Sequence, residues 1–281
     1  MMKVGYLGPE GTFSEEASLI YRKKLGKADF IPFSTFHEIL LSADKGKIHE
    51  GIVPIENSVE GTIGIVTDML VMDVNLKIKQ ELVIRADQYL MAKSKVPLAK
   101  ITEVVSFPQV IDQCKIYLRK NLPKAKIRFA FSTADAARQV AEATELRTLS
   151  EPAAIASKAS AKLYGLKIIA EQVNDYKNNS TRFVVLAKTD HPRTGRDKTS
   201  IVFSIIKDRP GGLYEILGEF AKRKINLTKI ESRPRKTTLG DYYFFVDMEG
   251  HSSDKLVKEA LSQVKRRSSF FKSFGSYPRL A

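Results

Sequence analysis

The stretch Asn178-Asn179-Ser180-Thr181-Arg182-Phe183 leads directly into an apolar segment, Val184-Val185-Leu186-Ala187. The apolar segment predicts a buried strand, and such a strand needs no polar run where it begins. On a pleated strand Thr181 and Phe183 lie on one face and Arg182 lies on the other. Loops attached to a rigid strand often carry function, which makes this stretch a candidate site. A polar turn with a solvated arginine is the structural alternative.

Length and composition predict two domains and no membrane association. The chain has 281 residues, of which 43% are hydrophobic. No apolar run approaches the roughly 18 residues of a membrane span, and Met1–Gly8 reaches glycine too soon for a signal peptide. The single cysteine, Cys114, favours a reducing cytoplasm, and we interpret it as a small buried apolar side chain.

The formal charge of +14 is concentrated towards the C-terminal end, where residues 191–281 hold 19 Lys and Arg against 10 Asp and Glu. A basic balance permits nucleic acid, an anionic membrane or small acidic ligands as partners. The densest basic run, Lys265–Arg267, ends a predicted helix, where cations suit the helix dipole. With no long basic arm, we expect neither nucleic acid nor membrane as a partner.

Strands and helices alternate in the first part of the chain, which predicts a mostly parallel sheet. Thr12 with Glu15, and Thr35 with Glu38, have the spacing of capping boxes that open helices. The predicted elements are a strand at Lys3–Leu7, a helix from Thr12 to about Leu25, a strand at Asp29–Phe33, a helix from Thr35 through Lys45 and a strand at Gly51–Ile55.

Two polar, glycine-containing loops follow strands of this sheet: Gly11–Ser14 and Asn57–Thr62. Ligands in such sheets bind beyond the carboxyl ends of the strands, where helix N-termini present unpaired N–H groups. Either loop alone is explained by helix capping. Together on one edge they indicate a site for an anion such as a carboxylate.

The middle of the chain predicts a second α/β lobe facing the first across a cleft, with crossovers near residues 80 and 170. Helix N-termini at Ser106 and Thr133 belong to this lobe. The predicted elements are strands at Ile78–Ile84, Tyr89–Ala92, Glu103–Ser106, Ile127–Phe131 and Lys167–Glu171, and helices at Pro108–Asn121, from Ser132, and from Glu151 to about Tyr164.

A polar linker, His191–Asp197, precedes a separate small domain over residues 198–281. The pattern there is β-α-β-β-α-β, the ferredoxin-like arrangement. Its predicted elements are strands at Ser200–Ile206, Ile225–Ser232, Tyr242–Glu249 and Phe270–Phe274, with helices from Gly211 to about Lys222 and from Ser253 to about Lys265.

Six motifs, in order along nearly the whole chain, resemble the prephenate dehydratase family with a C-terminal ACT regulatory domain. They are Gly8–Ala17, Val53–Gly61, Ser132–Ala137, Thr181–Phe183 and the pair Pro210–Leu217 with Glu231–Pro234. The resemblance implies an α/β fold: a two-lobed catalytic domain over 1–190, like that of periplasmic binding proteins, followed by a ferredoxin-like (βαββαβ) ACT domain. The chain departs from the family pattern at Phe107, where histidine is usual, and at Gly212, where alanine is commoner.

The resemblance also implies roles for residues. The catalytic ones are Thr181, Asn57, Ser58 and Gln113; those lining the substrate site are Thr12, Glu56, Ser106, Phe107, Thr133, Arg182 and Phe183; and those binding phenylalanine as effector are Gly211, Gly212, Leu213, Glu231, Ser232, Arg233 and Pro234. Thr181 is expected to donate a hydrogen bond to the departing hydroxyl. Arg182 pairs either with a substrate carboxylate or with a structural acid, Glu56 is either an acid or a structural cap, and Phe183 and Phe107 either wall the ring or pack in the core.

The implied activity is the decarboxylating dehydration of prephenate to phenylpyruvate in a cytoplasmic homodimer or homotetramer. Aromatisation drives this reaction, so neither a metal nor a redox cofactor is expected, and whether arogenate is also accepted stays open. Two other classes fit parts of the pattern. Two lobes around a cleft with an ACT domain also describe a non-enzymatic amino-acid sensor, and the charge alone permits a nucleic-acid-binding regulator.

Overall fold

A computed structural model describes residues 1–143, 151–236 and 240–280. Residues 144–150 of the expected first domain, and 237–239 and 281 of the second, lie outside the described residues. Internal contacts divide the chain into two compact units. The first comprises Met1–Phe36, Ile52–Ile63 and Val83–Phe183, and the second comprises His37–Gly51, Gly64–Leu82 and Val184–Ala281.

Strands and α-helices alternate over the first half of the chain, and the bounds of these elements over all described residues are as follows. The strands are β1 (Met2–Leu7), β2 (Ala28–Phe33), β3 (Glu50–Asn57), β4 (Gly61–Thr62), β5 (Lys77–Arg85), β6 (Tyr89–Ala92), β7 (Ile101–Ser106), β8 (Lys126–Phe129), β9 (Glu151–Ala156), β10 (Lys167–Ala170), β11 (Ser180–Ala187), β12 (Asp197–Ile205), β13 (Leu227–Pro234), β14 (Tyr242–Glu249) and β15 (Ser268–Pro278). The α-helices are α1 (Phe13–Leu25), α2 (Phe36–Asp44), α3 (Gly64–Met72), α4 (Pro108–Gln113), α5 (Lys115–Asn121), α6 (Thr133–Glu142), α7 (Lys158–Leu163), α8 (Gly212–Ala221) and α9 (Lys255–Arg266).

A six-stranded sheet has the order β2-β1-β3-β11-β5, with β4 paired to β3. Strands β1 and β2 run parallel, as the alternation of strands and helices predicts. Strand β4 runs antiparallel to β3 and pairs Gly61 with Asn57, so the loop between them is a tight hairpin. The start of β11, which carries Thr181, lies beside the end of β3, because Asn57 donates to Thr181 at 3.0 Å and the Ser58 N–H donates to the Ser180 carbonyl at 2.9 Å.

The second sheet, within the first unit, has the order β10-β6-β9-β7-β8. Strand β7 is parallel to β8 and β9, whereas β6 is antiparallel to β9 and β10. Because side chains alternate along a strand, Val104 packs with α4 and α5 on one face while Val105 packs with α6 on the other. Helices cover both faces, as expected of an α/β lobe.

One helix prediction in this lobe was wrong, and a second was right except for a break at one residue. Residues 151–156 form β9, and only Lys158–Leu163 of the predicted helix is helical. Alanine favours helix, but this segment lies between β6 and β7 with Ala153 to Ala156 fully buried, so sheet pairing overrides local propensity. The helix predicted at 108–121 is interrupted at Cys114, whose φ of −117° and ψ of 10° end α4.

Helix α3 has no counterpart among the predicted elements. It lacks acidic residues in its first turn and basic residues in its last, and its buried side chains (Val66, Thr67, Met69, Leu70, Val71) form an almost continuous run. A helix that is apolar on most sides shows no amphipathic period, so the usual sequence signal is missing.

The C-terminal part of the second unit forms a four-stranded antiparallel sheet of order β13-β14-β12-β15. Helices α8 and α9 pack on it through Ile216, Phe220 and Val257, around a core that includes Phe203 and Val246. This β-α-β-β-α-β arrangement confirms the predicted ferredoxin-like domain. Strand β13 lies at the edge of the sheet.

Candidate active site

Asn57 ends β3, and its side-chain carbonyl is held by its own loop. Asn57 Oδ1 accepts hydrogen bonds from the backbone N–H groups of Val59 at 2.9 Å and Glu60 at 3.0 Å. An asparagine bonded two residues ahead in this way stabilises a turn. Because backbone N–H groups can only donate, the contacts fix which end of the amide is oxygen and direct the Asn57 NH2 group the other way.

That NH2 group points at the start of β11. It donates to Asn179 Oδ1 at 2.7 Å, to Thr181 Oγ1 at 3.0 Å and, more weakly, to the Ser180 carbonyl at 3.3 Å. Asn57 is 9% exposed, so these bonds form largely away from water. Buried polar groups of this kind must be paired, which makes the arrangement specific.

Two further side chains close the network into a ring. Asn179 Nδ2 donates to Gln113 Oε1 at 3.0 Å, and Gln113 Nε2 donates to Glu60 Oε1 at 3.1 Å. A carboxylate accepts and does not donate, so Glu60 fixes the direction at this end as the backbone N–H groups fix it at the other. Every amide in the ring therefore has one orientation.

Thr181 lies half-buried at the open side of this ring. Its oxygen accepts from Asn57, and no other hydrogen bond involves the Thr181 hydroxyl within the residues that the structure describes. Since the oxygen is an acceptor towards Asn57, the hydroxyl hydrogen is available to a bound ligand. The side chain is thus arranged as a hydrogen-bond donor.

Ser58 links the Asn57–Thr62 loop to the residues at the start of β11. Its hydroxyl donates to the Asn178 carbonyl at 3.1 Å and accepts from the Ser180 N–H at 3.0 Å, while its own N–H donates to the Ser180 carbonyl at 2.9 Å. Ser58 is exposed, but both functions of its hydroxyl are engaged by protein. It therefore positions the start of β11 in this structure.

Arg182 points away from Thr181 and pairs with an acid. Its Nη1 lies 3.3 Å from Glu56 Oε2, and the arginine side chain is only 14% exposed. Of the two roles considered for Arg182, the ion pair supports the structural one. The same contact supports a structural role for Glu56.

The Gly11 loop is tied to helix α7. The Gly11 carbonyl accepts from the hydroxyls of Ser157 at 2.7 Å and Ser160 at 2.8 Å, both of which are buried. Thr12 caps α1: its oxygen accepts from the Glu15 N–H at 3.3 Å and its hydroxyl donates to the carbonyl of Pro9 at 2.9 Å. The predicted capping is confirmed, and it occupies the Thr12 hydroxyl.

The other residues predicted to line the site divide by exposure. Ser106 is fully buried and donates to the Ile155 carbonyl at 2.7 Å, and Phe183 is 2% exposed, so both hold the core together. Phe107, at 38% exposure, lies before the first residue of α4, and Thr133 is the half-buried first residue of α6. Only these last two remain open to a ligand.

Sequence reasoning missed Asn179, Glu60, Ser157 and Ser160. The stretch around Asn179 has the composition of a polar turn, so the sequence did not indicate that this side chain is only 1% exposed. The two serines have the spacing of a helix cap, and Ser157 does accept from the Ser160 N–H. A cap signature gives no sign that the same hydroxyls also bind a distant carbonyl.

Burial raises the pKa of several groups in this unit, Cys114 and Glu16 among them. It raises the pKa of the Cys114 thiol, which is fully buried, in agreement with its interpretation as an apolar side chain. It also raises the pKa of Glu16 in the first turn of α1, with a further contribution from the Asp87 carboxylate.

The residues expected to bind an effector lie at two places in the second unit. Gly211, with φ of 81°, precedes α8, and Gly212 and Leu213 begin that helix. Glu231, Ser232, Arg233 and Pro234 end β13. Arg233 is already engaged, because its Nη2 lies 3.1 Å from Asp68 Oδ1 on α3.

Residues 1–143, 151–236 and 240–280 contain neither a cluster of metal-binding side chains nor a membrane-spanning helix. No group of three or more His, Cys, Asp or Glu side chains there is placed to hold a metal ion. No helix in those ranges combines the length and the hydropathy needed to cross a bilayer.

Comparison with known proteins identifies the family of both parts of the chain. The sequence matches the family model for prephenate dehydratase over residues 4–191 and that for the ACT domain over residues 199–266. It is 40% identical over 280 residues to a prephenate dehydratase of Methanocaldococcus jannaschii, covering 97% of each chain. It is also 40% identical over 280 residues to a bifunctional chorismate mutase/prephenate dehydratase of Aquifex aeolicus, covering 99% of this chain and 74% of that one.

A solved structure extends the likeness to the whole fold. The prephenate dehydratase of Arthrobacter aurescens in complex with L-Phe aligns with a TM-score of 0.86 at 34% identity, covering 99% of this chain and 90% of that one. The two family models, the relatives matched over nearly the full length and the solved structure lead to one conclusion. The chain belongs to the prephenate dehydratase family of lyases and carries an ACT domain in its C-terminal part.

Proposed function

We propose that Thr181 is the group through which this lyase acts on prephenate, by donating a hydrogen bond to the ring hydroxyl as it departs. The observation that carries the proposal is the bond from Asn57 Nδ2 to Thr181 Oγ1 at 3.0 Å, which makes the threonine oxygen an acceptor on the protein side. Its hydrogen then faces the ligand.

The reaction requires one proton. When the ring carboxylate leaves as CO2, the electrons of its C–C bond move into the ring, and the C–O bond of the hydroxyl breaks with its electron pair on oxygen. The departing hydroxide takes up one proton and leaves as water, so the prephenate dianion and H+ give the phenylpyruvate anion, CO2 and water. Charge develops on the departing oxygen, and that is where a fixed donor stabilises the transition state.

A threonine hydroxyl is a poor acid, so Thr181 contributes a hydrogen bond rather than its proton. The Asn57 amide strengthens this donor by polarising the hydroxyl, and the ring of Asn57, Asn179, Gln113 and Glu60 holds it in place. The proton comes from solvent once the hydroxide is formed.

Substrate carboxylates are best placed by N–H groups rather than by Arg182. A strong ionic clamp on the ring carboxylate would stabilise the ground state and oppose its loss, and Arg182 is paired with Glu56. We assign the pyruvyl carboxylate to the N-terminal ends of α1 and α6, near Thr12 and Thr133. Phe107 provides an exposed ring for the substrate ring.

The test is the rate of phenylpyruvate formation from prephenate by the purified full chain, beside Thr181→Val and Thr181→Ser. Valine keeps the shape and removes the hydroxyl, so kcat should fall by about 100-fold or more, while serine should retain much of it. A Thr181→Val protein with wild-type kcat would overturn the role of Thr181. Absence of turnover by the folded wild type would favour a non-enzymatic sensor.

Regulation by phenylalanine is part of the proposal, supported by the ACT match and by the L-Phe complex of the Arthrobacter aurescens relative. We place catalysis in residues 1–190 and regulation in 198–281 of a cytoplasmic homodimer or homotetramer, with no nucleic acid or membrane partner. If phenylalanine changed neither turnover nor melting temperature, the ACT domain would not be a working sensor.

A further inference from the structure

The N-terminal end of α3 lies against the guanidinium of Arg233. A Cβ atom at Gly64, the first residue of α3, would lie 2.5 Å from Arg233 Nη2 and 2.9 Å from Nη1. Contacts that short do not occur, so the arginine occupies the space where any other side chain would begin. The glycine is needed for space and not for backbone freedom, because its φ is not positive.

The same guanidinium is bound one turn further along the helix. Arg233 Nη2 and Nε lie 3.1 Å and 3.3 Å from Asp68 Oδ1, and Lys236 Nζ lies 2.7 Å from Asp68 Oδ2. Asp68 and Arg233 are 22% and 24% exposed, so the pair is mostly shielded from water. We call Gly64, Asp68 and Arg233 together the α3 contact.

The α3 contact links two segments with different roles. Arg233 belongs to Glu231–Pro234 at the end of the edge strand β13, the segment that the family resemblance assigns to the effector. Gly64 lies seven residues after Asn57 along the chain. The backbone between them is short and fixed, since Ile63 N–H donates to the Ile55 carbonyl at 3.0 Å.

We propose that Arg233 is a positioning residue rather than a ligand of the effector, and that the α3 contact carries the effector signal from β13 to the Asn57 loop. The inference rests on the proposed function. A shift of β13 when phenylalanine binds moves the guanidinium, and α3 follows because Asp68 is bound to it and Gly64 packs directly against it.

Space for a second position of the arginine is present. An open cavity of about 370 Å³ lies beside the contact, lined by Ile65, Met69 and Met72 as well as Arg233. A signal requires two arrangements that the effector distinguishes by affinity. Arg233 itself lines the cavity, so its side chain has open space on one side.

The experiment uses Gly64→Ala and Asp68→Asn in the full chain, with Glu171→Gln as the control for the loss of one carboxylate. Alanine displaces the flexible end of Arg233 without changing any charge, and Asp68→Asn removes the charge that binds it. Glu171 is an exposed acid just after β10, outside both the α3 contact and the cavity beside it. Phenylalanine affinity is measured by calorimetry, inhibition by prephenate turnover, and the loop response by amide hydrogen exchange of residues 58–63.

Both test variants should turn over prephenate and bind phenylalanine within about 3-fold of wild type. The factor by which phenylalanine lowers prephenate turnover should be about 10-fold or more smaller in both variants than in the wild type. Coupling between sites is typically about 5–150-fold, so a loss of this size is within range. Phenylalanine should alter exchange in residues 58–63 of the wild type and of Glu171→Gln but not of the two test variants.

Three results would overturn the inference: test variants that are inhibited like the wild type, test variants that lose phenylalanine binding, and a wild type whose exchange does not respond. The exchange measurement needs no turnover. An inactive wild type whose exchange response disappears in both test variants would therefore refute the proposed function while supporting the α3 contact.

Discussion

Exchanging the Asn57 amide for a carboxylate, Asn57→Asp, reverses one hydrogen bond at nearly constant shape. The new side chain can still accept from the Val59 and Glu60 N–H groups, which now bond to Asn57 Oδ1. Its second oxygen replaces the NH2 group that donates to Thr181 at 3.0 Å. The Thr181 hydroxyl must then donate inward, and its hydrogen no longer reaches the substrate.

The magnitude follows from the loss of that donor. Removing one fixed donor to a developing oxyanion costs about 3–4 kcal/mol, or about 100- to 1000-fold in kcat. Stability falls as well, because an oxygen replaces the nitrogen that lies 2.7 Å from Asn179 Oδ1 in a buried pair. An unpaired buried acceptor costs about 1–3 kcal/mol, and at about 2–4 °C per kcal/mol the melting temperature should fall by several degrees.

The assay separates kcat from KM in prephenate turnover and combines Asn57→Asp with Thr181→Val. If Asn57 acts through the threonine hydroxyl, Asn57→Asp should cost little further activity once that hydroxyl is gone. KM should change less than kcat, since the lost bond belongs to the transition state. Wild-type kcat in Asn57→Asp, or effects that multiply in the double variant, would refute this reasoning.

Three further predictions concern stability. Gly11→Ala should cost about 1–2 kcal/mol of stability for the left-handed backbone alone. It should cost more than Gly165→Ala, because a Cβ at Gly11 (φ 85°) would lie 3.1 Å from the Ser160 hydroxyl whereas a Cβ at Gly165 (φ 70°) has no neighbour within 4 Å. Equal losses of stability in thermal melts would contradict this contact. The pKa of Glu16 is raised in the folded state, so its contribution to stability is lost as pH rises through that pKa. Glu16→Gln should therefore raise the melting temperature at about pH 7–8 and not at about pH 4. A gain in melting temperature that did not depend on pH would count against this reasoning. Ser106→Ala should lose about 1 kcal/mol, through its bond to the Ile155 carbonyl, with KM unchanged; a large rise in KM would show that the hydroxyl binds substrate.

Local signals in the sequence located most elements and some caps. Thr12 with Glu15 gave the start of α1, because capping depends on residues only three apart. The ferredoxin-like order of the last domain was predicted from its alternating strands and helices. The same local reasoning failed at β9, where alanines favour helix, and at α3, which shows no amphipathic period.

The candidate site was predictable in part. The stretch around Thr181 and the loop at Asn57 stood out as short polar runs next to apolar strands. Their partners did not, since Asn57 and Asn179 are 122 residues apart and Gln113 and Asn179 are 66 apart. Ser106 and Phe183 seemed suited to contact a substrate until their burial placed them in the core.

By itself, the sequence determined which segments become strands, helices and polar loops over most of the chain, and it identified the family through its motifs. Those properties depend on residues within a few positions of each other. Only the tertiary structure decided that the Asn57 amide donates to Thr181, and that the guanidinium of Arg233 packs against Gly64. Hydrogen-bond direction and close contact depend on which distant groups the fold brings to within about 3 Å and shields from water.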